Sequence, residues 1–227
     1  MSQFEGSKGR YIHTLRWVGY GLLLFSLVDT IDSLVPPDFM NPAWELQTVG
    51  KLVERVVVPL LGFALVFFAE DYDRTGVEEA GLKWLSWLSL LLGLLFFLMV
   101  PLGISGTLRI DNQNNSQISA QLQQQVSQLQ QIETQVNQGT PENIQTIAIE
   151  LNRIGIPVDS QKPDQLKSEI LSRIATAKQE LPTKAEEARS NQRFALLKNS
   201  VKWNLGALIG SVLFFTIWRT SRWARRL

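Results

Sequence analysis

Five charged residues stand where charge is expensive. Asp29 and Asp32 lie near the end of one apolar run, and Lys51, Glu54 and Arg55 just before another. Carboxylates and cations set together against apolar sequence have three uses: pairing for structure, relaying protons or ions, or separate snorkelling to a polar boundary. Other chemistry is scarce. There are 0 cysteines and a single histidine, His13, so thiolate sites, disulfides and histidine-based triads are excluded. No phosphate-binding glycine loop is present; "EGSKGR" has no strand before it. Asp71, Asp73, Glu78 and Glu79 do not match a calcium loop. The 22 basic against 21 acidic residues give no global attraction to nucleic acid. No catalytic, cofactor or metal residue is assigned, and the chain is expected not to be an enzyme.

The elements that must position these charges are apolar helices. The runs are Trp17–Val35, Val56–Ala69, Trp84–Ile104 and Leu205–Trp218. A bilayer core needs about 20 helical residues, and the third run meets that without a charge. Buried helices of a soluble core are the alternative, but the polar remainder is too small to cover four of them. The second run is short. To cross about 30 Å at 1.5 Å per residue its helix must begin near Val49, which draws Lys51, Glu54 and Arg55 into its first turns. The first three spans are therefore set at about residues 17–35, 49–69 and 84–104, with the fourth and its basic tail in 201–227. "PPDFMNPAW" turns the chain between the first two, with Asn41 as cap and Pro42 opening a helix. In an antiparallel pair, the depth of Asp29 matches Arg55 and that of Asp32 matches Lys51, so these pairs are expected.

Lys8, Arg10 and Arg16 precede the first span, and Arg219, Arg222, Arg225 and Arg226 follow the last. Four spans with basic ends place both termini in the cytoplasm, along with the loop Glu70–Lys83. The first span lacks a small-x-small site and is read as uncleaved. Trp17, Trp84, Trp87, Trp203, Trp218 and Trp223 read as interfacial anchors. Gly206 and Gly210 in "GALIG" suit close helix packing, against this chain or another copy.

Between the third and fourth spans lies a polar, helix-forming insertion, residues 105–200, expected outside the cytoplasm. It holds 11 glutamines between Gln113 and Gln138. Ile118, Leu122, Leu129, Ile132 and Val136 trace a short coiled-coil seam, with Gln125 breaking one position. A helix from Thr140 to Gly155 follows, then one from Lys162 to Leu181. A further helix from Thr183 runs into the last span. The fold class is thus all-α: three spans in residues 1–104, a partly coiled-coil insertion in 105–200, and a fourth span with its basic tail in 201–227. Expected partners are membrane lipid, other membrane proteins and, through the insertion, a second copy. Nucleic acid is not among them.

Two stretches, "NPAWELQTVGKLVERVVVPLLGFALVFFAE" and "LLKNSVKWNLGALIGSVLFFTIWR", resemble cyanobacterial HpsJ-like membrane proteins, whose name comes from hormogonium polysaccharide secretion. The likeness spans most of the chain. It implies a cyanobacterial plasma or thylakoid membrane and a non-catalytic part in polysaccharide export or complex assembly. It supplies no catalytic residues. An accessory subunit of a photosynthetic or respiratory complex is the alternative. A small transporter using Asp29, Asp32 and Arg55 as a relay is a third reading, opposed by the few spans and by charges away from the midplane.

Overall fold

The computed structural model describes residues 2–68, 76–153, 155–158 and 163–226. Among these the chain is all-helical. The helices are α1 (Ser2–Leu34), α2 (Pro42–Arg55), α3 (Val57–Val66), α4 (Gly76–Gln138), α5 (Pro141–Arg153) and α6 (Pro163–Thr220), followed by a short 3-10 turn at Trp223–Arg225. They form two compact units: Met1–Ile110 with Leu196–Leu227, and Asp111–Ala195.

Three helices are long and apolar enough to cross a membrane, within Tyr11–Leu34, Glu78–Gln138 and Gln165–Thr220. Their apolar side chains largely face outward: Phe25, Leu91, Phe97 and Ile209 are all more than half exposed. A water-soluble bundle would bury such residues, so these helices are compatible with a membrane location. The second apolar run differs from its expected single helix over 49–69. Pro59 has no N–H for the Arg55 carbonyl, and its ring crowds that carbonyl. The helix accordingly breaks at Val56, into α2 of 14 residues and α3 of 10. The expected start is in place: Asn41 Oδ1 accepts from the Ala43 N–H at 3.0 Å, with Pro42 in the first position.

Two other boundaries move. The loop expected over Glu70–Lys83 lies partly outside the described residues, and from Gly76 onward it is already the first turns of α4. Pro182 does not end a helix, for α6 runs through it. One missing N–H leaves the Lys178 carbonyl without its helical donor, while Ile174 and Leu181 pack into the core on either side.

The second unit is a closed three-helix core. Leu129 and Val136 of α4 meet Ile144, Ile147 and Leu151 of α5 and Leu166, Ile170 and Ile174 of α6. The expected seam is used here within one chain: Leu129, Ile132 and Val136 belong to this core, Ile118 is buried, and Leu122 is half-buried. α5 ends through Gly155 at φ +88°, a left-handed conformation that disfavours side chains, and Ile156 N–H donates to the Leu151 carbonyl at 2.9 Å. Asn152 then ties down Val158 through both its N–H and its carbonyl, at 2.8 and 3.0 Å.

Candidate functional site: a charged rim over an apolar cavity

The candidate site lies in the first unit, where α1 meets α2, α3, α4 and α6. Its base is aromatic and close-packed. Phe214 of α6 meets Phe63 of α3 edge-on at 5.9 Å and Phe96 of α4 at 5.5 Å between ring centroids. Val49, Val53, Val56 and Ala207 complete this buried cluster. Glycines permit the close approach. A Cβ on Gly206 would collide with Val53 Cγ1, and one on Gly210 would lie 3.1 Å from both Val56 and Phe96. The Gly206–Gly210 motif thus packs against α2 and α4 of its own chain. Gly19 and Gly62 do the same for α1 and α3: a Cβ on Gly19 would come within 2.9 Å of the Gly62 carbonyl.

Above this base runs a series of polar bridges between helices. Arg55 Nη1 lies 3.0 Å from Asp29 Oδ1, joining α2 to α1. Glu54 faces the other way and accepts from Lys202 Nζ at 2.6 Å and Trp203 Nε1 at 3.1 Å, joining α2 to α6. Arg109 donates to Glu45 at 2.9 Å, joining α4 to α2. Thr107 donates to Ser200 Oγ at 2.7 Å, joining α4 to α6.

The pairing expected between Asp32 and Lys51 is not made. Both side chains are exposed, without an ion pair among the described residues. The break at Val56 explains this. α1 packs mainly along α3 and far less against α2, and Lys51 lies one turn further from α3 than Arg55, which does reach Asp29 of α1.

Two of the tryptophans expected as interfacial anchors are half-buried and also make contacts within the protein. Trp203 packs its ring on Gly50 and donates to Glu54. Trp218 lies beneath Arg225, 4.7 Å from guanidinium to ring centroid. Arg225 also donates to Ser86 Oγ at 2.6 Å and to the Trp218 carbonyl at 2.7 Å, and Ser86 bonds Ser221 at 2.8 Å. Burial pushes the Arg225 pKa below its ordinary value, with Arg222 and Arg226 adding to the effect. Trp17, Trp84 and Trp87 remain exposed.

Between the rim and the base is a mainly apolar cavity of about 300 Å³. Its walls include Leu34 and Thr30 of α1, Leu52 of α2, and Leu92, Leu95 and Met99 of α4, with Asp29 and Arg55 at its edge.

A family model described as HpsJ-like protein matches residues 10–222. The chain belongs to the HpsJ-like family. No curated protein matches it, and no solved structure does. The match takes in both units, so the cavity and the three-helix core both lie within the HpsJ-like region.

Glu54, Lys202 and Trp203 form the group that the sequence hid. Their partners are 148 and 149 residues apart in the chain. The available signal was modest: a charged residue and an indole side by side at the start of an apolar run.

Proposed function

We propose that this HpsJ-like chain is a non-enzymatic integral-membrane scaffold or accessory protein, acting in polysaccharide secretion or in assembly of a membrane complex. The observation that carries this reading is the use of the charged groups. Asp29, Arg55, Glu54 and Glu45 each bridge one helix to another. Charges spent in fixing helices do not line a conduction path. A relay through Asp29, Asp32 and Arg55 would also need Asp32 in contact with the pair, and no such contact occurs among the described residues. The link to polysaccharide rests on the family resemblance.

In this reading four segments cross the bilayer: α1, the broken pair α2 and α3, and the apolar parts of α4 and α6. Helices of 14 and 10 residues rise about 36 Å if aligned, more than the roughly 30 Å of hydrocarbon. Both termini are then cytoplasmic, with Arg219, Arg222, Arg225 and Arg226 on the side that basic flanks prefer. The Asp111–Ala195 unit projects into periplasm or lumen and offers its polar helical faces to other membrane proteins. The membrane is a cyanobacterial plasma or thylakoid membrane.

The test is carbonate washing of membranes, then solubilisation in mild detergent and mass spectrometry of what co-purifies. Retention in the washed membrane and recovery of export components supports the reading. Release into the wash refutes the membrane placement, and recovery of pigment-binding or electron-transfer proteins moves the assignment to those complexes.

A further inference from the structure

We infer that the cavity beside Asp29 and Arg55 holds one acyl chain of a bilayer glycerolipid, with the lipid's ester carbonyls accepting hydrogen bonds from Arg55. The inference rests on the membrane placement proposed above.

The walls argue for hydrocarbon. Leu34, Leu52, Leu92, Leu95 and Met99 offer almost no polar surface. Thr30 has already committed its hydroxyl to the Ser26 carbonyl at 2.8 Å. A water needs two to four polar partners, so such a space does not hold a water cluster. A helix is about 10 Å wide, much broader than a single hydrocarbon chain, so a cavity of about 300 Å³ takes a segment of one acyl chain more readily than a partner helix.

The rim argues for an ester. A guanidinium has five N–H donors. Arg55 spends one of its nitrogens on Asp29 at 3.0 Å, and the others have no acceptor among the described residues. The side chains of Arg55 and Asp29 are 46% and 44% exposed, so the donors are reachable. A donor at the edge of hydrocarbon requires an acceptor. The oxygens nearest a lipid's hydrocarbon are its ester carbonyls. Asp29 neutralises Arg55 at the cavity edge, so the match is to uncharged carbonyls more than to a charged headgroup.

The experiment uses the full chain purified in detergent, with bound lipid counted by native mass spectrometry. Dioleoyl phosphatidylglycerol is compared with its diether analogue, which has the same chains and headgroup but no carbonyls. Hydrogen bonds to a charged donor are stronger than neutral ones, so ester lipid should be retained about tenfold or more over diether. Arg55→Met, which removes the donors, should reduce that preference to near parity. Leu95→Trp, which fills the cavity, should abolish retention of both lipids at unchanged helix content. Should that variant misfold, Ser26→Leu fills the same space from α1, since Ser26 also lines the cavity. Equal retention of ester and diether lipid by the unaltered chain overturns the inference, as does undiminished retention by a folded cavity-filled variant. A chain stripped from membranes by carbonate would instead remove the membrane placement itself.

Discussion

A single methyl group, added at two glycines, should have opposite effects. Gly206 sits where a Cβ would strike Val53 Cγ1, whereas a Cβ on Gly21 of α1 would meet nothing within 4 Å. Both residues are inside helices, so replacing glycine by alanine gains about 1 kcal/mol of helix propensity at each. At Gly206 that gain is opposed. Val53 is β-branched and stiff about χ1, and it belongs to the buried cluster with Phe96 and Phe214, so it cannot rotate away. Overpacking of this kind costs about 1–3 kcal/mol. Gly206→Ala should therefore destabilise by up to about 2 kcal/mol net, while Gly21→Ala is neutral or stabilising by up to about 1 kcal/mol. The assay is unfolding in mixed micelles by titration with a denaturing detergent, followed by tryptophan fluorescence. Removing the opposing methyls by Val53→Ala in the Gly206→Ala background should recover part of the loss, a coupling of about 0.5–3 kcal/mol. Equal effects of the two alanine substitutions, or strict additivity with Val53→Ala, would refute the proposed packing of α6 on α2.

Three further outcomes follow from the same contacts. Asp29→Asn should lower thermal stability in detergent, and the exchange Asp29→Arg with Arg55→Asp should restore much of it; because both groups are about half exposed, the pair is worth about 1 kcal/mol or less by a double-mutant cycle. Pro59→Ala returns a donor to the Arg55 carbonyl, so amide exchange around Val56 should slow measurably when followed by mass spectrometry. Ile170→Ala empties a fully buried site in the Asp111–Ala195 unit and should destabilise that unit by about 2–5 kcal/mol, read as faster exchange over α5 with little change in α1 and α3.

Asp29 and Arg55 were legible in the sequence because depth alone relates them: each lies a similar distance from a shared helix end. Depth did not suffice for Asp32 and Lys51, since their meeting needed α2 to continue straight past Val56. The cause was in the sequence as Pro59, whose effect four residues upstream outweighed the apolar run around it. The reverse happened at Pro182, where packing of Ile174 and Leu181 outweighs one lost hydrogen bond. Seam positions Leu129, Ile132 and Val136 were readable as a stripe, but a stripe does not name its partner; that is settled by α5 and α6, which bring Leu151, Ile170 and Ile174 to it. Trp203 and Glu54 stayed hidden because an indole at the start of a span fits an interfacial anchor as well as a hydrogen-bond donor. Telling them apart requires the rotation of α6 about its axis, which Gly50 and Gly206 set by letting α2 come close.

Four proposed crossings of the bilayer, including the broken pair α2 and α3, put both ends of the chain on one side, and labelling tests that parity. The chain has 0 cysteines, so single introduced cysteines report sidedness without background. Ser2→Cys, Gln124→Cys and Arg226→Cys would each be probed with a membrane-impermeant maleimide in sealed membrane vesicles of known orientation, before and after permeabilisation. Ser2→Cys and Arg226→Cys should label from the same face, and Gln124→Cys from the opposite one. Labelling of Ser2→Cys and Arg226→Cys from opposite sides would mean an odd number of crossings and would contradict it.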